Sequence, residues 1–146
     1  MISRTVLIAL EPFGEGLDAQ RAAAAIERGI YAQDPALRVD RCCVPASDGD
    51  LDAVRQYLES VDFDTRMRAA RAVVVGTERL DETTLLGSAT FEIATRARQA
   101  GVPAYAVARE NALSPFDARI LDLQVILLAR DPRSLRRAGQ RLAQLA

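Results

Sequence analysis

The chain has 146 residues, 49% of them hydrophobic and 27% charged, with a net charge of −1. That is the size and balance of one soluble domain with a substantial core, and it gives no reason to expect a nucleic-acid or anionic-membrane partner. All nineteen basic residues are arginine, and the chain contains no lysine, histidine or tryptophan.

These absences exclude whole classes of chemistry. Without histidine there is no Ser-His-Asp or Cys-His machinery and no histidine-ligated metal. Without lysine there is no Schiff base and no Walker-type phosphate lysine. A charged donor to a phosphate or carboxylate must be an arginine, and an acid or base is expected to be a carboxylate. Cys42 and Cys43 are neighbours in an expected strand, where they read as small apolar residues and not as a disulfide framework or metal site. No secretory signal or long apolar span is present, since Val6 to Leu10 is too short, so a cytoplasmic location is expected.

In chain order, Thr5 to Leu10 is a continuous apolar run, as for a strand buried on both faces. Glu11 to Gly16 is a turn-rich loop. Asp18 can cap a helix on which Ala22, Ile26 and Ile30 recur at fourfold spacing, and Asp34-Pro35 breaks it. A second strand is expected over Leu37 to Val44. The polar loop Pro45 to Asp50 follows, and Asp50 caps a helix over Leu51 to Val61 with the stripe Leu51, Val54, Leu58 and Val61. Asp64 to Arg71 reads as a further helical turn.

The third strand is expected over Ala72 to Val75, followed by a loop dense in charge and hydroxyl, Gly76 to Thr83. A helix from Thr84 to Ala100 is expected to bury Leu86, Ile93 and Ala97 and to end at Gly101. Val102 to Ala108 is a fourth strand, with Pro103 near its start. Arg109 to Asp117 is polar, with a turn signal at Ser114-Pro115. Leu123 to Leu128 is a fifth strand. Asp131-Pro132 then opens a helix carrying Leu135, Ala138, Leu142 and Leu145. Strand and helix alternate about five times. The expected class is therefore α/β: a single three-layer α/β/α Rossmann-like domain over residues 1–146, with a mostly parallel sheet of about five strands.

In such sheets ligand chemistry gathers outside the carboxyl ends of the strands. Arg79, Asp81 and Thr84 sit there after the third strand, although Asp81 or Thr83 could equally cap the next helix. Glu11 and Asp48 also follow expected strand ends. With Asp81 they could converge on one rim suited to a divalent cation or a general base, while Asp48 could also simply turn the chain before Gly49. Gly14 to Ala19 formally matches the dinucleotide pattern G-x-G-x-x-G/A. The match is weak: Glu11 to Phe13 separate it from the strand, and Glu15 and Asp18 would repel a pyrophosphate.

Taken together, these loops resemble the bacterial glycerate kinase family. That family opens with a strand, an Asp-Ser-Phe-Lys-like loop and a Leu-Ser-Ala helix start, and Ile8 to Ile26 fits without a gap, keeping Phe13, Leu17, Ala19, Ala22, Ala23 and Ile26. Its Ala-Asp-Gly-Gly-Glu-Gly-Thr loop is similar to a shortened Ser47-Asp48-Gly49-Asp50. Its Gly-Glu-Gly-Arg-Leu-Asp-x-Gln-Thr-Leu-x-Gly-Lys segment is similar to Gly76 through Ser88, including Arg79-Leu80-Asp81, Thr84-Leu85 and Gly87, and Ala100 to Ala104 also fits. The resemblance implies the discontinuous Rossmann-like domain of these enzymes. It implies Asp48 and Asp81 as catalytic residues, Glu11, Arg79 and Thr84 as substrate-binding residues, and ATP with Mg2+ as cofactors if the activity is retained.

The departures are as specific as the matches. Only about ten residues separate Val61 from Ala72, where the family inserts a large second domain that forms the other wall of its active site. The family's two motif lysines correspond to Gly14 and Ser88, and its first aspartate to Glu11. Phosphoryl transfer depends on positioning and charge neutralisation, and removing one preorganised donor costs on the order of 10² to 10³ in rate. The expectation is a glycerate-kinase-related domain without autonomous activity, serving as a small-ligand binder or as a partner subunit. A homodimer or a partner chain supplying the missing domain is expected. The alternatives are a minimal ATP-dependent kinase acting on glycerate or a similar small hydroxy acid, and a nucleotide- or flavin-binding module.

Overall fold

A computed structural model of the chain describes residues 3–14, 16–46 and 49–146. Five strands form one sheet: β1 (Thr5–Leu10), β2 (Arg38–Arg41), β3 (Ala72–Leu80), β4 (Ala104–Asn111) and β5 (Ile126–Leu128). Their order is β2-β1-β3-β4-β5, and every neighbouring pair is parallel. The helices are α1 (Ala19–Gln33), α2 (Leu51–Ser60), α3 (Phe63–Arg68), α4 (Ala89–Ala100), α5 (Pro115–Leu121) and α6 (Pro132–Leu145). They cover both faces of the sheet, giving the three-layer α/β/α domain that the alternation predicts. Between α2 and β3 the chain makes only the short helix α3.

Side chains along each strand alternate between two cores. Val6, Ile8 and Leu10 of β1 and Val74 of β3 face α1 and α6, against Ile26, Ile30, Leu135 and Leu142. Leu7 and Ala9 of β1 and Val73 and Val75 of β3 face the other layer, against Leu58, Phe63, Met67 and Ile93. The α1–α6 contact is very close. A Cβ placed on Gly29 would lie 1.9 Å from the Arg136 carbonyl oxygen, and one on Gly139 would lie 2.1 Å from that of Ile26. Only hydrogen fits at either position, so the two glycines let the backbones touch.

Aspartates start three of the helices as the sequence predicts. The side chains of Asp18, Asp50 and Asp131 accept backbone N–H groups of Arg21, Ala53 and Ser134. Other boundaries differ. β2 ends at Arg41, yet the Cys42 and Val44 N–H groups still donate to Ile8 and Leu10 of β1. β3 does not end at Val75 but continues to Leu80, because β4 also runs past Ala108 and the two polar ends pair, Thr77 with Ala108 and Arg79 with Glu110. Arg79 therefore lies on a strand and not in a loop.

The helix expected from Thr84 is broken in two. A 3₁₀ turn covers Glu82–Leu85, Gly87 takes a left-handed φ of 104°, and Ser88 caps a new helix, α4, at the Phe91 N–H. Leu86, expected in the core, is 73% exposed as a result. Ser114-Pro115 opens α5 where only a turn was expected, because Ser114 caps the helix and proline fits its first position. β5 is shorter than predicted, with Leu128 at the open edge of the sheet.

Candidate functional site

In the strand order 2-1-3-4-5 the topological switch point lies between β1 and β3, and ligands of such sheets bind outside the carboxyl ends of those strands. A cleft of about 300 Å³ sits there, lined by Glu11, Gly49, Thr77, Arg79, Thr84 and Ser88 among others. The alternation of β3 explains the selection. Thr77 and Arg79 continue the side of Val73 and Val75, toward α4. Glu78 continues the side of Val74, toward α1, where it approaches Gly14.

Glu11 leaves β1 by donating its N–H to the Gly76 carbonyl (2.9 Å), which carries the strand pairing one residue further. Its side chain is buried. Oε2 accepts the Thr90 hydroxyl (2.6 Å) and the Thr90 backbone N–H (3.3 Å) in the first turn of α4. A carboxylate there is favoured by the helix dipole as well as by the two donors. Glu11 is therefore bonded across the switch point to the start of a helix 79 positions away in the chain.

Asp81 and Thr84 form a reciprocal cap on the 3₁₀ turn. Asp81 Oδ1 accepts the Thr83 N–H (2.9 Å) and hydroxyl (2.5 Å), while the buried Thr84 Oγ1 accepts the Asp81 N–H (3.1 Å). Arg79 donates from Nε to Asp81 Oδ2 (3.0 Å) and from Nη1 to Glu110. The Thr83 hydroxyl, and then Arg79, hold the Asp81 carboxyl below the usual aspartate range. A carboxylate so strongly bonded is a poor proton acceptor. Arg79 keeps half its side chain exposed at the rim while it bonds Asp81 and Glu110.

Of the five residues expected at the site, Glu11, Arg79 and Thr84 line this cleft, and Asp81 is bonded to two of its lining residues, Arg79 and Thr83. Asp48 lies outside the described residues. No group of three or more carboxylates or cysteines among the described residues is arranged to hold a metal ion. Burial pushes the thiols of Cys42 and Cys43 up, away from reactive thiolate chemistry. None of the helices among the described residues is long and apolar enough to cross a membrane.

Sequence reasoning missed Thr90 and Glu110, which complete the polar network of the site. Glu110 carried a signal, since its strand parity matches that of Arg79. Thr90 carried none, because its partner is fixed only when α4 packs on β3 and β4 with its first turn beside the end of β1. Ser88, which stands where the family resemblance expects a lysine, caps α4 with its hydroxyl and donates it to the Thr84 carbonyl (2.7 Å).

The family model described as the glycerate kinase family matches residues 51–145, well over half of the chain. That span includes Arg79, Asp81 and Thr84 and begins after Glu11 and Asp48. No curated protein matches the chain.

Proposed function

The chain belongs to the glycerate kinase family, and from that premise we propose that it is a small-ligand-binding member without autonomous kinase activity. The ligand is a small hydroxy acid such as glycerate, bound in the cleft between β1 and β3. The reading rests on one observation: the carboxylates at this switch point are already committed to structure. Glu11 holds α4, and Asp81 caps the 3₁₀ turn with a depressed pKa. Neither is well placed to receive a proton from a substrate hydroxyl. The chain also has no lysine to neutralise a transferring phosphoryl group. What the cleft does offer is a half-exposed arginine side chain, four hydroxyl-bearing side chains and a volume suited to a small acid.

Arg79 is the residue expected to hold the ligand carboxylate, exchanging its exposed partner Glu110 for it. Leu86 and Phe116 are 73% and 69% exposed, with Leu86 on the cleft itself. Exposed apolar side chains beside a polar rim favour a covering chain, a second copy or a separate partner, over the open cleft.

Calorimetric titration with glycerate tests the binding half of this reading. Saturable binding weakened about tenfold or more by Arg79→Ala is expected, the scale of a hydrogen bond to a charged group. Binding that ignores Arg79 would remove the cleft as the site. Sedimentation of the same samples addresses the assembly, and a monomer at every concentration and in the absence of any partner argues against self-association.

A further inference from the structure

The opposite face of the same sheet edge carries a second cleft, of about 510 Å³, between α1 and the start of α6. Four arginines line it, Arg21 and Arg28 of α1, Arg109 of β4 and Arg130 after β5, together with Asp131 and Pro132. Their convergence follows from the fold. Arg21 and Arg28 are seven residues apart, two turns along one helical face. Arg109 follows the parity of Tyr105 and Val107, toward α1 and α6, and Arg130 follows Ala129, buried in the same core. Arg109 also leans against Gly14: a Cβ there would lie 2.7 Å from its Nη1, and the left-handed Gly14 (φ 115°) leaves room for the guanidinium.

Arg41, Arg55, Arg66, Arg79 and Arg96 each pair with a carboxylate. The four arginines of this cleft have no carboxylate within ion-pair distance among the described residues, and Arg21 reaches only the Gly16 carbonyl (3.4 Å). The one carboxylate in the lining among the described residues, Asp131, is turned back onto the Ser134 N–H and hydroxyl to start α6. Four like charges drawn into one concavity repel one another, and a multiply charged anion is what relieves that repulsion.

We propose that this cleft binds a small phosphate-bearing molecule, with at least two anionic groups spread over the arginines of α1, β4 and the β5–α6 turn. Guanidinium groups pair bidentately with phosphate oxygens. The site lies on the other face of the sheet edge from the cleft between β1 and β3 and does not depend on what that cleft binds; Arg109 and Arg130 also line, with Glu78, Arg79 and Glu110, the concavity that adjoins both. A volume of several hundred Å³ with convergent charge suits a small molecule rather than the broad, flat face a duplex needs.

The test is calorimetric titration with inorganic pyrophosphate, without magnesium, at physiological ionic strength, on folded proteins of unchanged melting temperature. One site per chain is expected, weakened about tenfold or more by Arg28→Gln and by Arg130→Gln, the scale of losing a charged hydrogen bond. Arg136→Gln with Arg137→Gln, farther along α6, should leave binding unchanged. Equal losses in the α6 pair would show a diffuse charged face and overturn the proposal. So would an absence of saturable binding, or tighter binding of a short oligonucleotide that depends equally on all of these arginines. Loss of glycerate binding with pyrophosphate binding intact leaves this site standing and removes the other.

Discussion

Two clefts open on one edge of the sheet, a single residue of strand parity apart, and they treat charge in opposite ways. At the β1–β3 switch point the carboxylates and the guanidinium are bonded to the protein: Glu11 to Thr90, Asp81 to Thr83, and Arg79 to Asp81 and Glu110. Between α1 and α6 four guanidinium groups meet without carboxylate partners among the described residues. The first arrangement spends polar groups on holding β1, β3 and α4 together. The second is where we place an anionic ligand. Loop composition does not distinguish the two, since both rims are polar; the bonding does.

The contrast can be broken most severely from beneath the arginine cleft. Gly139→Ala forces a methyl group against the Ile26 carbonyl, 2.1 Å away, where neither helix backbone can yield cheaply. Separation of α1 from α6 should cost about 3 kcal/mol or more, the upper range for overpacking a tight contact. Arg21 and Arg28 would then be displaced from Arg109 and Arg130. Denaturant unfolding of the variant measures the loss, and a stability equal to that of the parent would mean the helices are not locked at this glycine.

The structural role given to the switch-point carboxylates is sharpened by Thr90→Val. Removing the hydroxyl takes one of two α4 donors from the buried Glu11 Oε2 and should lower stability by about 1–3 kcal/mol. Glycerate binding should change less than in Arg79→Ala. A variant as stable as the parent but unable to bind would instead place Glu11 and Thr90 at the ligand.

Much of this architecture was legible in the residues. The apolar runs of β1 and β3 and the capping aspartates Asp18, Asp50 and Asp131 point directly to buried strands and helix starts. The polar ends of the strands were not legible. Thr77, Glu78 and Arg79 carry no strand rhythm of their own, and they extend β3 only because Ala108 and Glu110 lie opposite on β4. Leu86 was misplaced for a local reason, as Gly87 and Ser88 end one turn and begin another helix. Both readings of Asp81 were open from the sequence. The structure places it as a cap bonded to Arg79, and the family match covers the same residues. The link from Glu11 to Thr90 depends on tertiary packing and had no local signal.

A smaller effect concerns pH. The folded Asp81 carboxyl lies below its ordinary range, so its contribution to stability is present above the unfolded value and is lost as pH falls through the folded one. Because the side chain is at the surface, the change is modest. Thermal melts of the parent should fall slightly more steeply on acidification than those of Asp81→Asn. Parallel curves would show that the bonds from Thr83 and Arg79 are not kept in solution.

The division of labour at the switch point is tested most directly by turnover. A coupled assay supplies purified protein with ATP, magnesium and glycerate, alone and at concentrations that saturate glycerate binding. If Glu11 and Asp81 are held by the fold and the chain lacks a phosphate lysine, ATP consumption should not rise above the background without enzyme. Turnover near 1 per second or above, within the ordinary range of enzymes, that disappears in Arg79→Ala would contradict the account and make the chain a working kinase.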